Sequence, residues 1–250
     1  MEKAKLHFQR YEFKYYLPKA KADKLIPTLL KYMAWDPYIQ ATDQDFYQVN
    51  SLYFDSPDYG CFWDKESGIV DRKKLRFRYY NNLTLGVTPI FAEIKRKNDA
   101  LAIKDRIKLT ADQAARENFD NSLRQLLRQD PEDMFLSELL WFKQRNSMQP
   151  KLFISYDRKA LISKRDQRFR VTFDYNIKAR RQHDLNDVHG RLVEVYPEGT
   201  VLELKYNNIL PVWFHKIIQK YQLQRLAYSK YCNALRHNMP RFDDNNYKVT

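Results

Sequence analysis

Residues 71–109 read DRKKLRFRYYNNLTLGVTPIFAEIKRKNDALAIKDRIKL, and the alternation within them decides the fold. Successive side chains of a strand point to opposite faces. Arg72, Lys74, Arg76 and Arg78 therefore share one face, with Leu75, Phe77 and Tyr79 on the other. The next run places Glu93, Lys95 and Lys97 opposite Ala92 and Ile94, and a third sets Lys104, Arg106 and Lys108 against Ile103, Ile107 and Leu109. One charged row is the solvated side of a half-buried sheet. Three neighbouring rows of mostly one sign call for something anionic between them.

Composition narrows what that anion is. The 250 residues carry a net charge of +13, with 44% hydrophobic and 15% aromatic residues, so the chain buries a core and seeks a polyanion. Nucleic acid, a membrane surface and a polyanionic small molecule all satisfy net charge alone. Cys61 and Cys232 stand far apart with no metal-ligand spacing, which excludes a structural zinc site and suits a reducing cytoplasm. No run approaches the ~18 apolar residues of a membrane span, and the polar start lacks a signal-peptide core. The five glycines are too scattered for a phosphate-cradling loop, so side chains must bind any phosphate.

Outward from the basic strands, residues 7–17 read as a first strand with Glu12 and Lys14 on one face. Pro18 suits the start of a helix with the stripe Ala22, Leu25, Ile26, Leu29, Leu30 and Met33, which Pro27 is expected to kink or interrupt. Residues 34–45 read as an irregular connection, 48–55 as a strand closed by a turn in which Asp55 and Asp58 are turn formers, and 59–68 as a loop. Thr110 and Gln113 form a capping-box signal for a helix through Leu127, and Asp130–Pro131 begins a second. This hairpin is expected to cover the sheet. Strands resume at KLFISYDRKAL and RFRVTFDYNI, followed by a polar connection over 178–190 holding His183 and His189. VLELKY supplies Val201, Glu203 and Lys205 on one face. Pro211 opens a helix, a last one starts near Ser229 and Lys230, and 241–250 reads as a frayed tail of a single domain covering 1–250.

Seven or eight alternating strands and at least four amphipathic helices predict an α+β fold. The sheet is expected to curl into a β-barrel with a charged lumen, its apolar faces covered by helices. Such a lumen is costly when empty, because each desolvated cation costs several kcal/mol unless paired. Arg72, Lys74, Arg76, Arg78, Lys104, Arg106, Arg158 and Arg170 outnumber the glutamates. A string of phosphates is the natural occupant.

The motifs RYEFKYYLP, SLYFDSPD, RKKLRFRYY, FAEIKRK, KDRIKL, YDRKAL, LELKY and YSKY, in this order, resemble the VTC domain. That domain is the polyphosphate polymerase module of the vacuolar transporter chaperone complex, in the triphosphate tunnel metalloenzyme superfamily. The resemblance implies an antiparallel β-barrel enclosing a triphosphate tunnel, and transfer of the terminal phosphoryl group of ATP to a growing polyphosphate chain, with Mn2+ or Mg2+. It implies that Arg76, Arg78, Lys95, Lys104, Arg158 and Lys230 act on the phosphates, that Lys14, Lys74, Arg106, Arg170, Lys205 and Ser229 help bind them, and that Glu203 holds the metal. Glu12 and Glu93 are further metal or lysine partners. Membrane and phosphate-sensing segments found with the eukaryotic domain have no counterpart in this sequence. Hydrolysis of triphosphates is the sibling chemistry. A non-enzymatic polyphosphate or nucleic-acid binder is the reading from another class, although the tyrosines that would stack bases fall mostly on apolar faces and no DNA partner is expected.

Overall fold

The computed structural model describes residues 10–40, 44–84, 87–98, 101–185, 190–207 and 209–238. Its first half runs β1 (Arg10–Pro18), α1 (Lys19–Leu30), β2 (Met33–Trp35), α2 (Pro37–Gln40), β3 (Tyr47–Asp55), α3 (Gly60–Glu66), β4 (Arg72–Tyr80), β5 (Ile90–Asn98) and β6 (Leu101–Leu109). Next come α4 (Ala111–Ala114), α5 (Phe119–Gln129), α6 (Met134–Arg145), β7 (Gln149–Ser163) and β8 (Arg170–Arg181). The chain then forms β9 (Val193–Glu194), β10 (Gly199–Tyr206), α7 (Val212–Lys220) and α8 (Lys230–Asn238).

Eight strands form a ring in the order β3, β4, β5, β6, β1, β10, β8, β7 and back to β3, every pairing antiparallel. The predicted barrel is present. Its thinnest junction is β1 to β6, held by two residue pairs, Arg10 with Ala102 and Tyr11 with Leu101. Past that point the free edge of β1 is taken by the segment before α8: Tyr15 bridges Arg225, and the Leu226 N–H donates to the Lys14 carbonyl at 2.8 Å. Backbone groups left open by the stagger are thereby satisfied, as buried peptide groups must be.

The outer faces are apolar and covered, as the alternation requires. Leu25 and Leu29 of α1 and Phe214 and Ile217 of α7 pack on Phe173, Leu202 and Leu204. Phe119 and Leu123 of α5 and Leu139 of α6 pack on Leu75, Phe77 and Ile94. Each such side chain contributes about 1.5–3 kcal/mol by leaving water. Glu138 pins the hairpin to the barrel by accepting from Lys73 at 2.8 Å and pairing with Arg96, which also engages Asp105. The hairpin is a cover.

Several local expectations give way to tertiary packing. α1 runs through Pro27 without interruption, its apolar side held by Leu25, Ile26 and Leu29. Met33 leaves the helical stripe to begin β2, and residues 37–40 form a short helix within the supposed irregular connection. The expected loop at 59–68 is α3, because Asp55 acts as its anchor rather than as a simple turn former. Buried, it accepts from the N–H groups of Ser56 and Cys61 at 2.8 Å, from Phe62 at 3.2 Å and from the Tyr231 hydroxyl at 2.5 Å. The Thr110–Gln113 capping box forms, but it caps the four-residue α4, and α5 is a separate helix. α6 starts after Asp133, whose carboxylate accepts from Phe135 and Leu136, three residues beyond the expected Asp130. β8 extends through Arg181, His183 is exposed, and His189, residues 7–9 and the tail at 241–250 lie outside the described residues. Among the described residues no helix is long and apolar enough to cross a membrane.

One helix does not cover anything. α8 enters the barrel, where Tyr231, Cys232, Ala234 and Leu235 bury against Val49, Ile154, Ile177 and Val201. Part of the lumen is thus an apolar plug, and the charges are confined to the remainder.

Candidate functional site: a cationic cavity inside the barrel

That remainder is a cavity of about 420 Å³, lined by thirteen cationic side chains against two carboxylates, Glu12 and Glu203. Strand register explains how it arises. On β4, β5 and β6 the inward residues align as Lys74–Lys95–Lys104 in one row and Arg76–Glu93–Arg106 in the next. Like charges directly opposite one another across strands repel. On β1 and β10 the register instead sets Glu12 against Lys205 and Lys14 against Glu203, a checkerboard that neutralises itself. The field therefore concentrates on the β4–β6 wall.

The acids that partly offset this wall are buried within it or stand across from it. Glu93, fully buried, accepts from Arg76 at 2.9 Å and from Lys104 at 3.1 Å. Burial alone would raise its carboxyl, but Arg76, Arg78 and Lys104 hold it far below the usual range. Lys95 pairs with Glu12. Arg78 has no carboxylate partner among the described residues: its guanidinium donates to the hydroxyls of Ser51 and Tyr156, each at 3.2 Å, and is 6% exposed. Among the described residues Lys74 likewise reaches only Ser229 Oγ at 3.3 Å, Cys232 Sγ at 3.1 Å and the Tyr231 ring. A buried cation hydrogen-bonded to neutral groups alone is undercompensated.

On the β7–β8 side, Arg158 makes a bidentate pair with Asp174 at 2.6 and 2.9 Å, and Lys230 at the start of α8 reaches the same carboxylate at 2.5 Å. Arg158 lies 3.7 Å from Glu203, which Lys205 approaches at 3.3 Å. Asp174 is wholly buried; desolvation pushes its carboxyl up, but Arg158 and Lys230 hold it at about 2. Burial works the other way on the lysines. Lys14 is lowered to about 8 and Lys205 to about 7, desolvation outweighing the pull of Glu203. Tyr53, which burial would raise, is brought down to about 8 by Arg76 and Arg78. An anion entering the cavity would return protons to these three groups.

Of the side chains the sequence nominates, Glu12, Lys14, Lys74, Arg76, Arg78, Lys95, Lys104, Arg158, Glu203, Lys205, Ser229 and Lys230 all line this one cavity. Glu93 lies within the wall, buried between Arg76 and Lys104 with both oxygens engaged, which suits charge balance and leaves no free oxygen for a metal. Arg170, opposite Lys205 in register, is nevertheless outside the cavity lining, its guanidinium paired with Asp36 at 2.9 Å and donating to Tyr47. Arg106 also stands off the cavity lining, with its guanidinium 4.4 Å from the centre of the Phe91 ring. Sequence reasoning missed Asp174, Tyr53, Tyr156 and Arg225. An aspartate in the middle of a β-branched and aromatic strand, VTFDY, was the available signal for Asp174, since strands disfavour Asp. Arg225, over Phe13 at 3.8 Å, lies in an irregular segment that carries no periodic signal.

The carboxylates facing the cavity are too few for a self-sufficient metal centre. Among the described residues no group of three or more His, Cys, Asp or Glu side chains is arranged to hold an ion. Mg2+ is commonly held by one or two carboxylates with phosphate oxygens completing its shell. Glu203 and Glu12 fit that donor set: although burial raises both, Lys205, Lys14 and Lys95 keep both carboxyls below their ordinary value.

Comparison with known proteins gives no match to any curated protein. Among solved structures, a Bacillus halodurans protein provisionally assigned as an adenylate cyclase is 14% identical, at a TM-score of 0.47, over 88% of this chain and 93% of its own. A Hippeastrum protein, provisionally an adenylyl cyclase and described as having a dominant triphosphatase activity, is 11% identical at 0.47, over 92% and 97%. A Vibrio parahaemolyticus protein with the same provisional cyclase assignment is 10% identical at 0.42, over 89% and 96%. The family is fixed by a different finding: the model of the VTC domain matches residues 9–238. With that match over nearly its whole length, the chain belongs to the VTC domain family.

Proposed function

We propose that this protein is a metal-dependent polyphosphate polymerase that moves the terminal phosphoryl group of ATP onto a polyphosphate chain held in the cavity. The carrying observation is the undercompensated wall, with Lys74, Lys95 and Lys104 side by side and Arg78 buried without a carboxylate. A condensed phosphate, with a negative charge on every unit, is the ligand that relieves such a row. Family membership supports the reading.

In the proposed reaction a terminal phosphate oxygen of the acceptor attacks the γ-phosphorus of ATP. A new P–O bond forms, the bond to the β-phosphate oxygen breaks, and ADP leaves with that electron pair. No protein nucleophile is required, since phosphoryl transfer through a loose transition state depends on in-line positioning and charge neutralisation. Arg76 and Arg78, fixed by Glu93, Tyr53, Ser51 and Tyr156, would hold the donor phosphates. Arg158 and Lys230, fixed by Asp174, would face them from β7 and α8. A divalent cation, Mn2+ or Mg2+, would sit at Glu203 with Glu12 and would withdraw charge from the phosphate oxygens. Lys14, Lys95 and Lys205 would keep these carboxylates ionised and oriented. The two free, buried cysteines are consistent with a reducing cytoplasm as the setting.

The test is to supply ATP with Mn2+ or Mg2+ and separate the products on a polyphosphate gel. A ladder that disappears in Glu203→Ala is expected. Free phosphate without a ladder would replace the polymerase by a triphosphatase, and tight RNA binding without turnover would replace the enzyme by a binding module.

A further inference from the structure

Away from the cavity, an apolar group meets solvent at one end of the barrel. Lys205 near the end of β10 lies opposite Arg170 at the start of β8, so the β7–β8 turn and the segment leading from β10 into α7 leave the barrel at the same end. A two-ring stack stands between them. Tyr32, just after α1, lies parallel to Trp213 of α7 within 6° at 4.5 Å, and the Trp213 ring meets Phe169 edge to face at 5.4 Å. The Tyr32 carbonyl accepts from the Lys164 N–H at 3.2 Å, which ties the stack to the β7–β8 turn. Ile209 and Val212, at the entry to α7, are 85% and 72% exposed, and Tyr32 is 43% exposed.

Helix α7 buries Phe214 and Ile217 against the barrel and turns its other side to solvent. There Val212, Lys216 and Lys220 recur every four residues and form one exposed stripe. Residues 30–32, 164–168 and 209–220, which together make this face, carry six cations and one acid. The acid, Asp166, pairs with Arg168 at 2.9 Å, and among the described residues Lys31, Lys216 and Lys220 have no ion pair.

An apolar centre inside a cationic rim matches the surface of an anionic bilayer. There Trp and Tyr settle at the headgroup level, aliphatic side chains enter the acyl boundary, and lysines meet the charged headgroups. A protein partner fits less well, because lysine is depleted from protein interfaces. Nucleic acid fits less well again: the two rings already stack on each other, and the most exposed groups are branched aliphatics with no partner on a base or a phosphate.

We propose that the face made by Tyr32, Ile209, Val212, Trp213, Lys216 and Lys220 docks this protein on an anionic membrane surface. The docking is peripheral and sets this end of the barrel toward the lipid. It is independent of the phosphoryl-transfer reading, since none of these six residues lines the cavity.

Co-flotation with vesicles of phosphatidylcholine alone, and of a two-to-one mixture of phosphatidylcholine and phosphatidylserine, tests it on the wild type, on Val212→Glu and on Lys216→Glu combined with Lys220→Glu. Each run is made with and without saturating tripolyphosphate, which fills the cavity, at matched ionic strength. The wild type is expected to float with the mixed vesicles and not with phosphatidylcholine alone, whether or not tripolyphosphate is present. Each variant is expected to bind the mixed vesicles at least tenfold more weakly, with an unchanged melting temperature showing that it is folded. A wild type that floats with neither vesicle or equally with both, binding that survives in both variants, or binding that tripolyphosphate abolishes would overturn the proposal. A dimer that Val212→Glu dissociates, without vesicle binding, would assign the face to a second copy of the chain instead. RNA binding lost in the lysine double variant, without vesicle binding, would assign it to nucleic acid.

Discussion

Arg78→Ala is expected to lower turnover by about 10²- to 10³-fold, the loss typical of removing one preorganised donor from a site where charge develops. The same change is expected to leave the melting temperature of the empty protein equal to or above that of the wild type. Arg78 is buried, yet its guanidinium donates only to Ser51 and Tyr156. Burial works against its charge, and the nearby carboxylate that offsets this, Glu93, is hydrogen-bonded to Arg76 and Lys104 instead, so in the empty protein Arg78 is a cost retained for function. Arg78→Lys should recover only part of the rate, because an ammonium cannot present the planar fork that meets two phosphate oxygens. The paired measurement is steady-state kinetics with a thermal melt. A large loss of both activity and stability would make Arg78 a structural residue instead.

Asp174→Asn should have the opposite signature. Asp174 is wholly buried and neutralises both Arg158 and Lys230. Removing one partner of a buried ionic cluster costs about 3–5 kcal/mol, because the charges left behind have no water to turn to. Added tripolyphosphate should recover part of that loss by standing in for the missing negative charge, which a melt with and without the ligand would register. The same group fixes an acid limit. Burial raises its carboxyl but Arg158 and Lys230 win, so its folded value of about 2 is depressed. A depressed carboxylate contributes stability above its unfolded value of ~3.9 and loses that contribution as pH falls toward the folded value. Asp174→Asn should accordingly flatten the pH dependence of unfolding between those limits. An unchanged melting temperature would contradict this account of the Arg158–Asp174–Lys230 cluster.

The barrel was legible because a strand repeats every two residues, and every inward position from Arg72 to Arg78 and from Glu93 to Lys97 is charged. Once helices must cover the apolar side, the cations have nowhere to face but inward, and register then groups them. Periodicity could not tell which side of the sheet a helix takes. KYCNALRHN has an apolar stripe like any covering helix, yet α8 packs in the lumen because Tyr231 reaches the buried Asp55 and Lys230 reaches Asp174. Both contacts join residues far apart in the chain. The α3 helix was hidden for a related reason: its anchor, Asp55, sits six residues before Cys61 and belongs to the end of a strand. Arg106 and Arg170 passed the alternation test and still stand off the cavity wall: each shares a register row with a lining cation, Arg76 and Lys205 respectively, but its guanidinium meets a partner that alternation does not identify, the Phe91 ring for Arg106 and Asp36 with Tyr47 for Arg170. Glu93 shows the same limit in charge: its type suits a metal, but Arg76 and Lys104 on the flanking strands occupy its oxygens.

The most direct test of the central claim is a crystal structure with tripolyphosphate soaked in. The phosphorus atoms are expected inside the barrel, against the β4–β6 wall, with oxygens within hydrogen-bonding distance of Arg78 and of the Lys74–Lys95–Lys104 row. Tripolyphosphate bound only to the exterior, with the interior row untouched, would contradict it.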